Sequence, residues 1–514
     1  MKKLGAVKTV AAMTAATVLS KLLGAVRQII FAGRLGDGIY AVAFAAASKV
    51  TLSVFDILFS AAILGCFIPF YSEKKQAGEK PAREFSSSFF TLTLVSTASL
   101  ALLGVIFSRQ IIFLSAPKLS AEASVLAARL LRIMFPMMIF TGGAYVLVGL
   151  LQSHGSFILP SVMSSVSNLF IIFILLAVKD IASPRGISYL AAGYVIGWMI
   201  QLATLAVPLA KKHLLPEFSF GFKSGGAYDA LKMSPAVIVG AWLLPVSSLA
   251  ANFFLSFVSD SSLAAFDYAL SVWIIASGVL TFGICNFIFP HLSSLDTEGK
   301  DFADVARRGV GAALLVSLPA AAGMFFLSKN MIAVLYQRGS FTPELTGVCG
   351  RILSVLSFSA PAFCVSEVCA RVFYAKKNAK IPMISSVCGI GTFLASGAIS
   401  VFALRAGPDG IAYSFVAGQY AAAAALLVCS AVKINGFLVK SDIKKVILGL
   451  ASVAVSTAAM GICRSLFGKN PANISLFENF IIIALVFSAG CVIYLLCIFL
   501  LRLLPNPRRK EESL

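Results

Sequence analysis

Apolar stretches long enough to cross a bilayer, about 20 residues each, recur along the whole length of this 514-residue chain. Hydrocarbon offers no partner to a backbone N–H or C=O, so such stretches become helices that satisfy their own main chain. Fourteen occur, with approximate edges at 6–33, 40–71, 86–107, 124–151, 158–178, 187–210, 226–257, 262–290, 309–336, 346–375, 381–404, 409–432, 443–463 and 476–501. Composition agrees: 59% of residues are hydrophobic and 12% charged, against about 45–50% and about 25% in a soluble domain. The longest polar stretches, such as "YSEKKQAGEKPAREF", are too short to bury a core. The expectation is an all-α polytopic membrane protein with no soluble domain.

The opening "MKK" resembles the start of a signal peptide. Lys8 interrupts the apolar run, however, and the segment continues past position 30, which predicts an uncleaved first helix. A net charge of +20 would suggest nucleic acid in a soluble protein, but here the cations collect in alternate loops. With the N-terminus inside, more than half of the 42 Lys and Arg fall in 1–8, 72–85, 211–225, 291–308, 376–380, 433–445 and 502–514. That asymmetry is what the positive-inside rule describes, so both termini are expected on the cytoplasmic side of a bacterial inner membrane. The ten cysteines form no CxxC pair and do not cluster with the three histidines. They read as small buried apolar residues, not as metal ligands.

Two sequence pairs point to an internal repeat. "FIPFYS" around Pro69 ends the second stretch, and "IFPHLS" around Pro290 ends the eighth, 221 positions later. "LPSVMSSV" at Pro160 opens the fifth, and "IPMISSV" at Pro382 opens the eleventh, 222 positions later. The matching offsets predict a duplicated six-helix unit. Six is even, so the copies keep one orientation and are related by an axis along the membrane normal, as in parallel-repeat transporters. The expected organisation is an N-terminal lobe over 1–212, a C-terminal lobe over 213–432, and two further helices with a cytoplasmic tail over 433–514. A transporter is favoured over a channel or receptor.

The first helix carries Lys21, Arg27 and Arg34 in an otherwise apolar run. A cation at the centre of a membrane helix costs roughly 2.5–3.5 kcal/mol on insertion scales, so these residues need a reason. Arg27 and Arg34 lie seven apart and share a face with Ser20 and Gly24. Arg34 is close enough to the outer interface to snorkel, and Arg27 is deeper and reads as a cavity residue. In the second helix Lys49 and Asp56 share a face; Asp56 is a candidate ion-coupling residue or a salt-bridge partner for Arg27 or Lys21. Lys49 has fewer acidic neighbours in its own half, which makes it a candidate substrate contact. Further along, Asp267 sits near the start of the eighth span, and Glu367 and Arg371 stand at i, i+4, where they can neutralise each other. All three are second-lobe candidates for gating or ion pairing. A surplus of deep cations in a repeat-built transporter suggests an anionic substrate held through phosphate or carboxylate.

With these residues in view, the chain resembles the MurJ/MviN family, the lipid II flippases of bacterial peptidoglycan synthesis. "SKLLGAVRQIIFAGRLG" is similar to the family's S-R-x-x-G-x-x-R-D stretch. "AVAF", "CFIPFYSEKK", "SGVLTFGICNFIFPHLSSL", "LYQRGSFT" and "VFYAKKNAKIPM" follow in the family's order, covering positions 17 to about 390. The resemblance implies two lobes working by alternating access, and a central cavity whose arginines hold the pyrophosphate of an undecaprenyl-linked disaccharide-pentapeptide. It further implies a lipid-tail groove on spans 13 and 14, and membrane potential or a bound monovalent cation as the energy source, with no other cofactor. Arg27 matches a cavity arginine, and Lys21 stands where the family usually has another. Departures are Gln28 in place of an acid, "SKVTLSVFD" without the second-helix arginines, and "ALSV" in place of D-R-L. Lysine cannot supply a bidentate fork, so these departures bear on the substrate. Lipid II is the implied partner, along with membrane lipids and the cell-wall synthesis machinery, for a monomeric chain.

Three other readings are weaker. One is a flippase for another polyprenyl-linked oligosaccharide, and another is a cation-coupled multidrug antiporter of the same superfamily. A glycosyltransferase would need paired outer-face acids, and the short loops "GDG", "SDSS" and "GPDG" present none suited to acid–base work. No phosphate-cradling glycine-rich loop is present, so ATP is not the direct driver.

Overall fold

The structure, a computed structural model, describes residues 2–223, 225–232, 235–293, 295–297, 299–437 and 440–500. Among them no strand occurs. The helices are α1 (Lys2–Leu35), α2 (Ile39–Phe55), α3 (Ala61–Ala77), α4 (Glu79–Ile106), α5 (Ser108–Ser115), α6 (Ala121–Met134), α7 (Met137–Ser153), α8 (Ile158–Ala177), α9 (Pro184–Lys211) and α10 (Ala227–Lys232). They continue as α11 (Pro235–Gly240), α12 (Leu243–Ser256), α13 (Asp260–Ser293), α14 (Lys300–Tyr336), α15 (Pro343–Ser357), α16 (Ser359–Ala375), α17 (Lys380–Ala398), α18 (Pro408–Lys433), α19 (Lys440–Ser465) and α20 (Leu476–Leu500). A π turn, Asp56–Ser60, joins α2 to α3 without ending the helix.

Eleven helices among the described residues are long and apolar enough to cross a membrane, and two bent pairs bring the total to thirteen. The chain is a multi-pass membrane protein. Large apolar side chains such as Leu103, Phe173, Leu485 and Leu495 face outward, as a lipid solvent permits. The bends have covalent causes. The α6–α7 pair turns by 43° at Pro136, which has no N–H to continue the ladder. The α15–α16 pair turns by 44°, and Pro361 there cannot donate to the Ser357 carbonyl one turn back. Among the described residues thirteen of the fourteen expected spans are met, and the difference lies in one place. The stretch expected as a single span over 226–257 is broken at Ala241 and Trp242, between α11 and α12. Pro235 opens α11 and Pro245 falls in the first turn of α12, positions where a proline starts a helix more readily than it continues one.

The chain forms two compact units. One comprises the chain up to Tyr268 with Arg338–Phe341 and Pro382–Ser414; the other comprises Ala269–Gln337, Thr342–Ile381 and the chain from Phe415. In the first, α1 lies along α8. Ser20 and Ser164 share a hydroxyl hydrogen bond at 2.5 Å, and Arg34 donates to the carbonyls of Leu175 and Val178 at 2.9 Å and of Lys179 at 2.5 Å. The last carbonyls of a helix have no intrahelical donor and carry partial negative charge, so Arg34 caps the end of α8. The polar face of α4 is buried without cost to its hydroxyls: Thr91, Thr93 and Thr97 each donate to the carbonyl one turn back. Phe67, Phe85 and Phe89 pack together beside it, with ring centroids 5.4–5.6 Å apart.

In the second unit α14 packs against α15, α16, α19 and α20. Its apolar core includes Phe302, Cys364, Val368, Phe373 and Leu426. The C-terminal helices are tied on by polar contacts: Asn330 Nδ2 donates to Asn479 Oδ1 at 2.7 Å, and Tyr494 donates to the Leu315 carbonyl at 2.6 Å.

Candidate functional site

Arg27 is held by groups from two neighbouring helices in the first unit. Its Nη1 donates to Asn168 Oδ1 on α8 at 3.1 Å, and its guanidinium carbon lies 5.6 Å from the centroid of the Tyr194 ring on α9. One edge is thus fixed by an amide and one face by an aromatic ring, an arrangement that suits guanidinium better than ammonium. The Nε–H is buried with no hydrogen-bond partner. A buried donor left unmet costs free energy, and an anionic oxygen is the partner that would satisfy it best.

Lys21 lies on the same helix, about 9 Å along the axis from Arg27 at 1.5 Å per residue. It is half-buried, and among the described residues it has no hydrogen bond or ion pair. Lys49 finds its partner outside the half of the sequence in which it lies. Asp267 and Lys49 form an ion pair with side chains 25% and 18% exposed. Sequence could not disclose this pair, because 218 positions separate residues that α2 and α13 bring together.

Asp56 makes no ion pair with Arg27 or Lys21 among the described residues, contrary to the salt bridge considered above. It opens the π turn and lies near Tyr145, whose ring packs edge-on against Phe55 at 5.2 Å. A π turn takes one residue too many into the helical ladder, and such turns are frequent at functional positions. Here Trp242 Nε1 donates to the Ile57 carbonyl within the turn at 2.7 Å.

Glu367 and Arg371 lie in the second unit and pair with each other at 3.7 Å. Their i, i+4 spacing on α16 allows this, as expected. Among the described residues no three His, Cys, Asp or Glu side chains converge on a point that could hold a metal ion.

Asn168 and Tyr194, the two groups that aim Arg27, were not singled out by the sequence. Asn168 did leave a signal: it is the only amide in the apolar run "ILPSVMSSVSNLFIIFILLA". Tyr194 left none, since an aromatic residue in a membrane helix is ordinary.

A bundle of bent and π-broken membrane helices with a half-buried, aimed arginine defines a helical transporter. Comparison with solved structures agrees on the fold. A lipid II flippase MurJ in an inward closed conformation matches with a TM-score of 0.78 at 22% identity, covering 94% of this chain and 97% of that one. An inward-facing multidrug resistance MATE family transporter of the MOP superfamily matches with a TM-score of 0.66 at 14% identity, covering 81% of this chain and 95% of that one. The family model described as "Lipid II flippase MurJ" matches residues 31–484, and the chain belongs to this family. Relatives named probable lipid II flippase MurJ include one from Buchnera aphidicola subsp. Schizaphis graminum, 28% identical over 377 residues (72% of this chain, 73% of the relative). Another, from Aquifex aeolicus, is 27% identical over 418 residues, covering 80% of each chain.

Proposed function

We propose that this chain moves lipid II from the inner to the outer leaflet of the bacterial cytoplasmic membrane by alternating access. Membership of the MurJ family supports the substrate. The observation that carries the mechanism is the arrangement of Arg27, gripped on one edge by Asn168 and on one face by Tyr194, with its Nε–H unmet. In this reading Arg27 receives the pyrophosphate oxygens, and Lys21 adds charge along the same helix. Away from bulk water such contacts are stronger than at a surface.

The same reading places both termini in the cytoplasm and assigns helices 1–6 and 7–12 of the repeat to the two lobes. The chain acts as a monomer and transporter without a catalytic centre, driven by membrane potential or a monovalent cation. Asp56, at the π turn, is the coupling candidate in the first lobe, and Glu367 with Arg371 the gating candidates in the second. The other partners are membrane lipids and the cell-wall synthesis machinery.

The test is complementation. A host depleted of its own lipid II flippase is given this chain or its Arg27→Ala variant at equal membrane levels. Rescue by the wild type alone is expected. Equal rescue by Arg27→Ala would remove Arg27 from the mechanism, and failure of the folded wild type would remove lipid II as the substrate.

A further inference from the structure

Three contacts meet where α1 ends, and none is used by the reading above. The Ser340 N–H, in the segment Arg338–Phe341 between α14 and α15, donates to the Gly33 carbonyl at 2.8 Å. The Tyr268 hydroxyl, on α13, donates to the Gly36 carbonyl at 2.6 Å, and the Tyr268 ring lies 5.3 Å from that of Phe341. Gly36 has φ +54°, and a Cβ there would overlap the Ser340 carbonyl. The end of α1, the 338–341 segment and α13 are therefore interlocked in one seam. In the orientation proposed above this seam lies on the outer face.

Asp267 immediately precedes Tyr268 on α13, and it is the partner of Lys49. That pair fastens the start of α13 to α2. Tyr268 is also one end of a run of aromatic contacts reaching the anion site: Tyr268 to Phe31 at 6.3 Å, Phe31 to Phe44 at 5.3 Å, and Phe44 to Tyr194 at 5.2 Å. Tyr194 carries Arg27 on its face and lies in the field of Asp267 as well as of Arg27.

We infer that Asp267 is a specificity residue: its carboxylate occupies Lys49 as an internal stand-in for the substrate's anion, and a pyrophosphate that displaces it frees α13 and so opens the seam at Ser340. The chemistry favours two linked phosphoryl groups over one, because the entering anion must out-compete a carboxylate already in place while also engaging Arg27. The side chains of the pair are mostly buried, so the carboxylate is a strong competitor that only a more highly charged anion with more acceptor oxygens displaces. Release of one ion pair next to Tyr268 would bias the seam from its closed arrangement toward an open one. The ligand assignment rests on the anion-transport reading; the coupling of Lys49–Asp267 to the seam does not.

The experiment is hydrogen–deuterium exchange of the full chain in lipid nanodiscs, read at the amides of 338–341, with inorganic pyrophosphate as the probe and inorganic phosphate for comparison. In the wild type, pyrophosphate is expected to raise exchange at Ser340 about tenfold and phosphate to do less, in line with charge-assisted competition. Asp267→Asn is expected to exchange rapidly without ligand and to bind pyrophosphate roughly fivefold more tightly. Lys49→Met also exchanges rapidly but no longer responds to pyrophosphate. That difference between the two variants is one that a purely structural salt bridge would not produce. Asp267→Glu, which keeps the charge, should restore wild-type protection if Asp267→Asn proves unstable. Unchanged protection at Ser340 in both Asp267→Asn and Lys49→Met would overturn the inference. If lipid II rescue fails while pyrophosphate still opens the seam, the proposed substrate is wrong and the coupling stands. If rescue succeeds while the seam ignores pyrophosphate, the reverse holds.

Discussion

Arg27 Nη1 and Asn168 Oδ1 stand 3.1 Å apart across the α1–α8 interface, so an amide on one helix sets the orientation of a guanidinium on another. A hydrogen bond to a charged group contributes about 1.5–3 kcal/mol. Asn168→Ala should therefore lower transport about 10- to 100-fold while Arg27 remains in the membrane. Asn168→Asp should lower it further, because a carboxylate there neutralises the cation that the substrate needs. A flipping assay in proteoliposomes checks both, and Asn168→Ala activity equal to wild type would show that Arg27 needs no guide.

The Trp242 indole and the Ile57 carbonyl form another long-range contact that sequence could not supply. Trp242→Phe keeps the ring and removes the N–H, leaving a carbonyl of the π turn without its 2.7 Å donor. A loss of about 1–3 kcal/mol in stability is expected, with faster amide exchange confined to the turn beginning at Asp56. Thermal unfolding and residue-resolved exchange read the two parts separately.

Much of the fold was legible because lipid leaves so few choices. Apolar length alone placed α8, α9, α18 and α20 within about three residues of where they lie. It failed over 226–257, where the run is broken just before the helix that carries Pro245 in its first turn and hydropathy does not register helix breaks. The charged residues were legible as a set but not as pairs. Glu367 and Arg371 could be paired on spacing, because both sit on one helix. Lys49 and Asp267 could not, and Arg34, taken for a snorkelling residue, proved to cap α8 through three carbonyls. Contacts within one helix follow from periodicity; contacts between helices require the tertiary fold.

Arg34 makes a third prediction. Arg34→Ala removes the donors from the Leu175, Val178 and Lys179 carbonyls. Stability should fall by up to about 2 kcal/mol, the upper end of what a cation at a helix C-terminus contributes. Arg34→Lys should recover part of this, since an ammonium retains the charge but not the fork. Transport per folded molecule should change little, because all three partners are structural. A large loss of transport at unchanged unfolding temperature would contradict the capping role.

Glu367 and Arg371 should behave as a unit. The pair is partly exposed and 3.7 Å apart, so its coupling energy in a double-mutant cycle should be about 0.3–0.5 kcal/mol. Either single change to Gln breaks the pair, and changing both should restore much of the lost stability. If the pair also gates transport, the double variant remains slow despite normal stability. The cycle measured on both readouts separates the two roles.

Gly36 and Gly155 provide the sharpest contrast. Both have φ in the left-handed region, +54° and +73°, where any L-residue with a Cβ is strained by about 1–2 kcal/mol. They differ in what surrounds them: nothing lies within 4 Å of a Cβ at Gly155, whereas one at Gly36 would overlap the Ser340 carbonyl. Gly155→Ala should therefore show backbone strain alone. Gly36→Ala must in addition push the 338–341 segment away from α1 and weaken the Ser340–Gly33 hydrogen bond of 2.8 Å. Its unfolding temperature should fall roughly twice as far, within the usual range for strained positions, and exchange at Ser340 should rise. Equal losses in the two variants, with Ser340 still protected, would mean that the segment follows α1 without being held by it.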